Sequence, residues 1–185
     1  RWFASSWHFD DAEAALSTIT SDLEHMQGAA AITKAYVSAG RLSEAIALLE
    51  QVLTDCVRIL GEDHPDTLAS RNNLAAAYES AGRLTEAITL YERNFEDCIR
   101  ILGPDHPHTL TSRNNLASAY QAAGRLQDAI TLYEQALTDH AYIPRLHHPS
   151  TINTRNNLAI AYRAAGRFED AEKLFKTPSG SEDEQ

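Results

Sequence analysis

An internal repeat of 42 residues constrains the fold of this chain more than any other feature. The segment Leu60–Glu92 returns almost unchanged at Leu102–Glu134. A fixed period of this length is typical of proteins built from stacked supersecondary units, so we expect a repeat architecture. The same step separates equivalent glycines, tyrosines and alanines: Gly40, Gly82, Gly124 and Gly166; Tyr36, Tyr78, Tyr120 and Tyr162; Ala45, Ala87, Ala129 and Ala171.

Each repeat carries the pattern of two helices, which we name helix A and helix B. In one repeat, apolar residues recur at helical spacing from Leu68 to Tyr78 and again from Leu84 to Leu102. Pro65 suits a first helical turn, and Gly82 suits a helix end. Two such helices leave an apolar face uncovered unless copies stack. The pattern predicts helices over Asp66–Ser80, Leu84–Ile101, His108–Ala122, Leu126–Ile143 and Ser150–Ala164.

The repeats also predict the division of the chain. We expect a helical solenoid over residues 1–176, with a partial repeat at 1–18 and repeats at about 19–61, 62–103, 104–145 and 146–176. The third junction, His140–Thr151, departs from the others, and Pro144 is expected to end its helix B early. Residues 177–185 are small, polar and acidic, so we expect a disordered tail.

Composition argues against several classes of partner. The chain has 16 Lys and Arg against 26 Asp and Glu, a formal net charge of −10, which disfavours nucleic acid. No run approaches the ~18 apolar residues of a membrane span, so we expect no membrane partner and a cytoplasmic location. Cys56 and Cys98 are one repeat apart, too far to form a disulfide, and are expected in the core.

No pattern indicates catalysis, a cofactor or a metal. The chain lacks a glycine-rich phosphate loop and a Ser-His-Asp or Cys-His arrangement. The junction histidines lie in different repeats, whereas zinc needs its ligands at ~2.0–2.1 Å from one point, so we interpret them as helix-start residues. The histidines near the third junction lack ligand spacing. The junction histidines are His64, His106 and His148, and the others near the third junction are His140 and His147. The sequence therefore predicts a protein that is not an enzyme.

The repeated residues resemble a tetratricopeptide repeat. The helix pair with Leu74-Ala75, Tyr78, Gly82 and Tyr91 carries this resemblance. The 42-residue period, with its "LGEDHPDTL" junction and "NNLA" motif, resembles the longer variety found in kinesin light chains and in many bacterial proteins. The resemblance implies an all-α solenoid of stacked antiparallel helix pairs in a right-handed superhelix. It also implies a concave face, lined by the A helices, that holds a peptide or a protein segment.

The resemblance places candidate groove residues on the A helices, above all in the repeated Arg-Asn-Asn triplets. An asparagine amide offers donors and an acceptor that match a peptide unit. Alternatively, an asparagine beside a helix seam satisfies a neighbouring polar group. The two asparagines of a triplet point about 100° apart, so one of each pair is expected to serve the groove. The candidates are Lys34, Asn72, Asn73, Asn114, Asn115, Ser118, Gln121, Asn153, Asn156, Asn157 and Arg163.

The arginines of the triplets are interpreted differently. In the family pattern Arg71, Arg113 and Arg155 face the preceding repeat, where we expect them to pair with acidic residues.

The function that the sequence favours is that of a protein- or peptide-binding scaffold, as a segment of a larger bacterial protein. Two alternatives stay open: a ligand-sensing arm of a signalling ATPase or transcriptional regulator, and a non-catalytic part of an enzyme whose active site lies elsewhere. Apolar residues near both ends also predict weak end-to-end self-association, through Trp2, Phe3 and Trp7 or through Leu174 and Phe175.

Overall fold

The structure is a computed structural model that describes residues 36, 38–141 and 149–175, with side chains described except at 139–141 and 149–151. These residues form seven helices and no strand, as the 42-residue pattern predicts. The helices are α1 (Leu42–Leu60), α2 (Pro65–Ser80), α3 (Leu84–Leu102), α4 (Pro107–Ala122), α5 (Leu126–Ala141), α6 (Pro149–Ala164) and α7 (Phe168–Lys173).

The chain divides into two compact units, Arg1–Leu102 and Gly103–Gln185. In the first unit α2 packs against both α1 and α3. In the second unit α5 packs against α4 and α6, α6 packs against α7, and α4 also contacts α6. Short described turns join α1 to α2 and α2 to α3 in the first unit, and α4 to α5 and α6 to α7 in the second, so these neighbours run antiparallel. Each unit is a stack of helices in the predicted solenoid class.

The junctions before α2 and α4 cap the N-termini of these two helices. His64 lies at the N-cap of α2, where its Nδ1 accepts a hydrogen bond from the backbone N–H of Asp66 at 3.2 Å. His106 does the same for α4. The buried Thr67 hydroxyl donates to the carbonyl of Gly61 at 2.7 Å and anchors the loop to the helix. The interpretation of these two junction histidines as helix-start residues is confirmed.

A Gly-Arg turn ends each described helix A. Gly82 has φ +72°, and the N–H of Arg83 donates to the carbonyl of Tyr78 at 2.8 Å. The Arg83 guanidinium lies 4.3 Å from the centroid of the Tyr78 ring, and its Nε donates to Glu86 at 2.9 Å. One arginine therefore joins the end of helix A to the first turn of helix B. The same ring contact recurs for Arg41 on Tyr36, Arg125 on Tyr120 and Arg167 on Tyr162.

The core consists of the predicted apolar stripes. Leu68 and Leu74 of α2 and Ile88 and Tyr91 of α3 are buried. Both cysteines are buried and free, as predicted, and Cys56 Sγ is hydrogen-bonded to Ser70 Oγ at 3.3 Å. Asn94 departs from the pattern, since it is buried at a helix B position that Val52 and Ala136 fill in the neighbouring repeats. The stripes therefore bury most of the apolar side chains that the repeat pattern predicts, whereas Leu84, Phe95 and Leu102 are partly buried and Asn94 is a polar exception.

Several expectations concern residues outside the described ranges. These are the partial first repeat with Trp2, Phe3 and Trp7, the candidate Lys34, the turn with Pro144, His147 and His148, and the tail 177–185. Helix α5 is described as far as Ala141, whereas the sequence predicts Ile143. Within the described residues, no helix is long and apolar enough to cross a membrane.

Candidate peptide-binding face

Each helix A presents one accessible stripe of side chains. Residues spaced three or four apart share one side of a helix, and on α2, α4 and α6 such residues are exposed or partly buried. The intervening leucines Leu74, Leu116 and Leu158 are buried. We name this stripe the A face of its helix, and it consists of equivalent residues in each repeat: Ala69, Asn72, Asn73, Ala76 and Glu79 on α2; Thr111, Asn114, Asn115, Ser118 and Gln121 on α4; Asn153, Asn156, Asn157, Ile160 and Arg163 on α6.

Every described candidate lies on this face and reaches the surface. Four are exposed, namely Asn73, Asn153, Asn156 and Arg163. Six are partly buried, namely Asn72, Asn114, Asn115, Ser118, Gln121 and Asn157.

One candidate joins neighbouring A helices. The Oγ1 hydroxyl of Thr154 on α6 donates to Oδ1 of Asn114 on α4 at 3.1 Å. Thr154 is fully buried, whereas Asn114 is partly buried at the edge of the A face. This asparagine oxygen therefore belongs to the seam between the two helices.

The chemistry of the A face is mostly that of neutral amides and small side chains. Glu79 and Arg163 are its only charged residues in the described part of the chain. Amides donate and accept hydrogen bonds, which suits a peptide backbone better than an ionic ligand. Within the described residues, no three His, Cys, Asp or Glu side chains are placed to hold a metal ion.

Comparison with protein families identifies the fold family. Two family models, both described as tetratricopeptide repeat, match the chain, one at residues 31–93 and 72–139 and the other at 120–184. The chain belongs to the tetratricopeptide repeat family. A search of curated protein sequences gave no match.

Solved structures place these tetratricopeptide repeats among those of kinesin-light-chain type. A candidate kinesin light chain of Podosopora anserina with nearly identical TPR-like repeats is 34% identical, with a TM-score of 0.77, over 90% of this chain and 81% of that one. BtubC (BKLC) of P. vanneervenii is 19% identical, with a TM-score of 0.76, over 96% and 79% of the two chains. At that identity the likeness concerns the fold alone.

A third tetratricopeptide-like structure is that of Bacillus thuringiensis PlcR in complex with the peptide PapR7 and DNA. It is 17% identical to this chain, with a TM-score of 0.68, over 90% of this chain and 60% of PlcR. This likeness also concerns the fold alone.

Arg71 pairs with an acidic residue, as expected for the triplet arginines, but the expected location of that partner is wrong. Arg71 is buried and donates to Asp97 at 2.6 Å, and Asp97 lies on α3 of the same repeat, not in the preceding repeat. Asp97 also accepts from Arg100, which in turn binds Asp63 in the junction loop at 2.7 Å. Burial alone would raise the pKa of Asp97, but the hydrogen bonds from Arg100 and Arg71 outweigh it and lower that pKa.

Arg113 occupies the equivalent position in the next tetratricopeptide repeat. It is buried as well, whereas Arg155 is partly buried. We therefore leave all three arginines out of the A face.

Tyrosines of the repeats bind carboxylates of neighbouring helices. The Tyr162 hydroxyl on α6 donates to Glu134 on α5 at 2.6 Å, and Tyr78 on α2 donates to Glu50 on α1. Burial, and then the hydrogen bond to Glu134, raise the pKa of Tyr162 to about 12. These bonds connect α6 with α5 and α2 with α1, and they lie apart from the A face.

Two features of these repeats were missed from the sequence. The arginine after each helix A glycine stacks on the tyrosine, and Thr154, the hydroxyl residue before the third triplet, binds Asn114 of the preceding helix A. Both had a signal in the sequence. The arginine recurs in all four repeats, and Ser or Thr precedes all three Arg-Asn-Asn triplets.

Proposed function

We propose that the chain is a protein-interaction module whose A faces bind an extended segment of a partner protein. Tetratricopeptide repeats are in general protein-interaction scaffolds, and the specific proposal concerns the face and the residues. The observation that carries it is the same amide at an accessible position of all three described A helices. These residues are Asn73, Asn115 and Asn157.

The chemistry of the asparagine side chain supports a backbone ligand. A primary amide supplies two donors and one acceptor, which are the groups that pair with the C=O and N–H of a peptide unit. Such contacts do not depend on the ligand's side chains. In the second unit Asn115 and Asn157 lie on α4 and α6, which contact each other. Packed helices lie ~8–10 Å apart and an extended strand advances ~3.3 Å per residue, so the two amides would meet about every third ligand residue.

The PlcR structure supports a peptide as the ligand class. That protein contains the same fold over 60% of its chain and was solved with the peptide PapR7 and DNA. The likeness also favours a second candidate function, the sensing arm of a transcriptional regulator, in which a peptide would act as the signal. Both candidates use the same A-face chemistry, and they differ in what lies beyond the repeats in the parent protein.

Further features of the proposal are predictions from the sequence. They are a bacterial origin, a cytoplasmic location, a larger parent protein, the absence of catalysis, and partners other than nucleic acid or membrane. Weak end-to-end self-association is also a prediction. Of the residues predicted to make these end-to-end contacts, two are described: Phe175 is half exposed and Leu174 is partly buried.

A peptide selection tests the proposal, and it does not require the natural partner. A random library of peptides, about a dozen residues long so that a strand can span several repeats, is displayed on phage and selected on the immobilised chain. We expect a binder whose addition shifts the side-chain amide resonances of Asn115 and Asn157. The proposal is wrong if no peptide binds, or if the binder shifts only resonances of helix B residues such as Gln127 and Gln135.

A further inference from the structure

The hydrogen bond between Asn114 and Thr154 distinguishes the two asparagines of one Arg-Asn-Asn triplet. Asn114 points from α4 towards α6, because its Oδ1 accepts from the Thr154 hydroxyl at 3.1 Å. Its neighbour Asn115 is turned by about 100° around the helix, so the two amides cannot serve the same seam. Thr154 has no exposed surface, so a ligand on the A face cannot touch it.

The sequence shows that the hydroxyl is part of the repeat. Ser70, Ser112 and Thr154 occupy the same position, immediately before each triplet. In the first repeat the position equivalent to Asn114 is Ala30, which carries no amide and lies outside the described residues. The hydroxyl of Ser70 is hydrogen-bonded instead to Cys56 Sγ on the preceding helix B, at 3.3 Å. Where the preceding helix A lacks the amide, the hydroxyl therefore has a different partner, on the preceding helix B.

We propose that Asn114 is a positioning residue, which fixes the spacing of α4 and α6 through Thr154 and thereby the spacing of the ligand-binding amides Asn115 and Asn157. The proposal deepens the proposed function and rests on it. A buried hydroxyl bonded to an amide is directional, whereas the small and apolar side chains of a helix seam tolerate sliding. An extended peptide has a fixed rise per residue, so it binds two amides only at a matching separation.

A double-mutant cycle on the full chain tests the bond without any ligand. Thr154→Val keeps the shape and removes the hydroxyl, whereas Thr154→Ser keeps the hydroxyl. Asn114→Leu removes the amide. In urea denaturation we measure the factor by which Asn114→Leu raises the unfolding equilibrium constant. We expect this factor to be about fivefold smaller in the Thr154→Val background than in the wild type. In the Thr154→Ser background its effect should match that in the wild type.

The positioning role is tested with the peptide obtained by phage selection on the wild-type chain. We expect Thr154→Val to weaken the affinity for this peptide about fivefold, although Thr154 is buried, and Thr154→Ser to retain the wild-type affinity. Far-ultraviolet circular dichroism confirms that each variant is folded, and Asn114→Leu provides a second variant without the bond if Thr154→Val does not fold.

The outcomes separate the two proposals. If the stability effects of Asn114→Leu and Thr154→Val are additive, the bond is not a stabilising contact. If the two substitutions are coupled but Thr154→Val leaves the peptide affinity unchanged, the positioning role is wrong. Equal loss of affinity in Thr154→Ser and Thr154→Val also overturns it, because the hydroxyl would then be irrelevant. A wild-type chain that binds no selected peptide overturns the proposed function, and the positioning role with it, even if the coupling is present.

Discussion

Arg71 and Asp97 show how a single residue pair holds a repeat together. The Arg71 side chain is 3% exposed and that of Asp97 is 17% exposed, so both charges are largely removed from water. A buried charge is tolerated when it is paired, and it becomes strongly destabilising when the partner is removed. The pair between Arg83 and Glu86 provides a contrast, because both of its side chains are nearly half exposed.

Neutralising Asp97 is therefore expected to destabilise the first unit. Asp97→Asn leaves the Arg71 guanidinium buried without its counter-ion and should lower the free energy of unfolding by on the order of 3 kcal/mol. The matched control is Glu86→Gln, which should have little measurable effect because exposed pairs contribute little. Urea denaturation at neutral pH measures both. Similar losses in the two variants would contradict the structural role of Arg71.

The raised pKa of Tyr162 predicts a specific loss of stability at alkaline pH. Its folded-state pKa of about 12 lies above the usual value of 10, so the fold favours the neutral phenol. This contribution is fully present below pH 10 and is lost as pH rises towards 12, because the unfolded chain releases the proton first. The unfolding free energy of wild type should therefore fall more steeply over this window than that of Tyr162→Phe. Parallel declines would show that burial and the Glu134 bond do not raise the pKa of Tyr162.

The boundaries of the elements follow from local chemistry, and most of them could be predicted. Helices α2, α4 and α6 begin one residue earlier than predicted, at Pro65, Pro107 and Pro149. The reason is that the histidine before each proline lies at the N-cap where the cap is described, which makes proline the first helical residue. The glycine after each described helix A marks the end of that helix in the same local way.

Contacts between elements were harder to predict. Asp97 lies 26 residues from Arg71, and the sequence offers other acidic residues in the neighbouring repeat. The Thr154 bond to Asn114 spans 40 residues. A period identifies equivalent positions, but it does not say which pairs of positions meet across a seam. For the candidate site, the repeat could therefore predict the accessible stripe, whereas the division of roles within each triplet required the packed helices.

The Gly-Arg turns provide a test at the scale of an element. Gly124 has φ +76°, and a Cβ added there would have no neighbouring atom within 4 Å. Any loss on Gly124→Ala thus comes from the left-handed backbone alone and should be about 1–2 kcal/mol. Gly124→Asn should lose less, since asparagine adopts this conformation more readily. Thermal unfolding of the two variants decides, and a neutral Gly124→Ala would mean that the turn rearranges.

At the scale of the whole molecule, the ion pairs and the repeated asparagines lie at different positions of the repeat. The chain carries a net charge of −10, and many of its ion pairs lie on the B helices and in the Gly-Arg turns. The A faces carry the repeated asparagines and few charges. Affinity for a peptide backbone should therefore depend on these amides and not on the exposed polar residues of helix B.

The most direct test compares two triple variants in binding to the selected peptide. The first changes Asn73, Asn115 and Asn157 to alanine, and the second changes the exposed helix B amides Gln51, Gln127 and Gln135 to alanine. Each lost hydrogen bond is worth about 0.5–1.5 kcal/mol, so the asparagine variant should bind about tenfold more weakly or worse, with a nearly unchanged melting temperature. The glutamine variant should bind like wild type. Equal affinities for all three proteins, or a collapse of the melting temperature in the asparagine variant alone, would contradict the assignment of these asparagines to ligand binding.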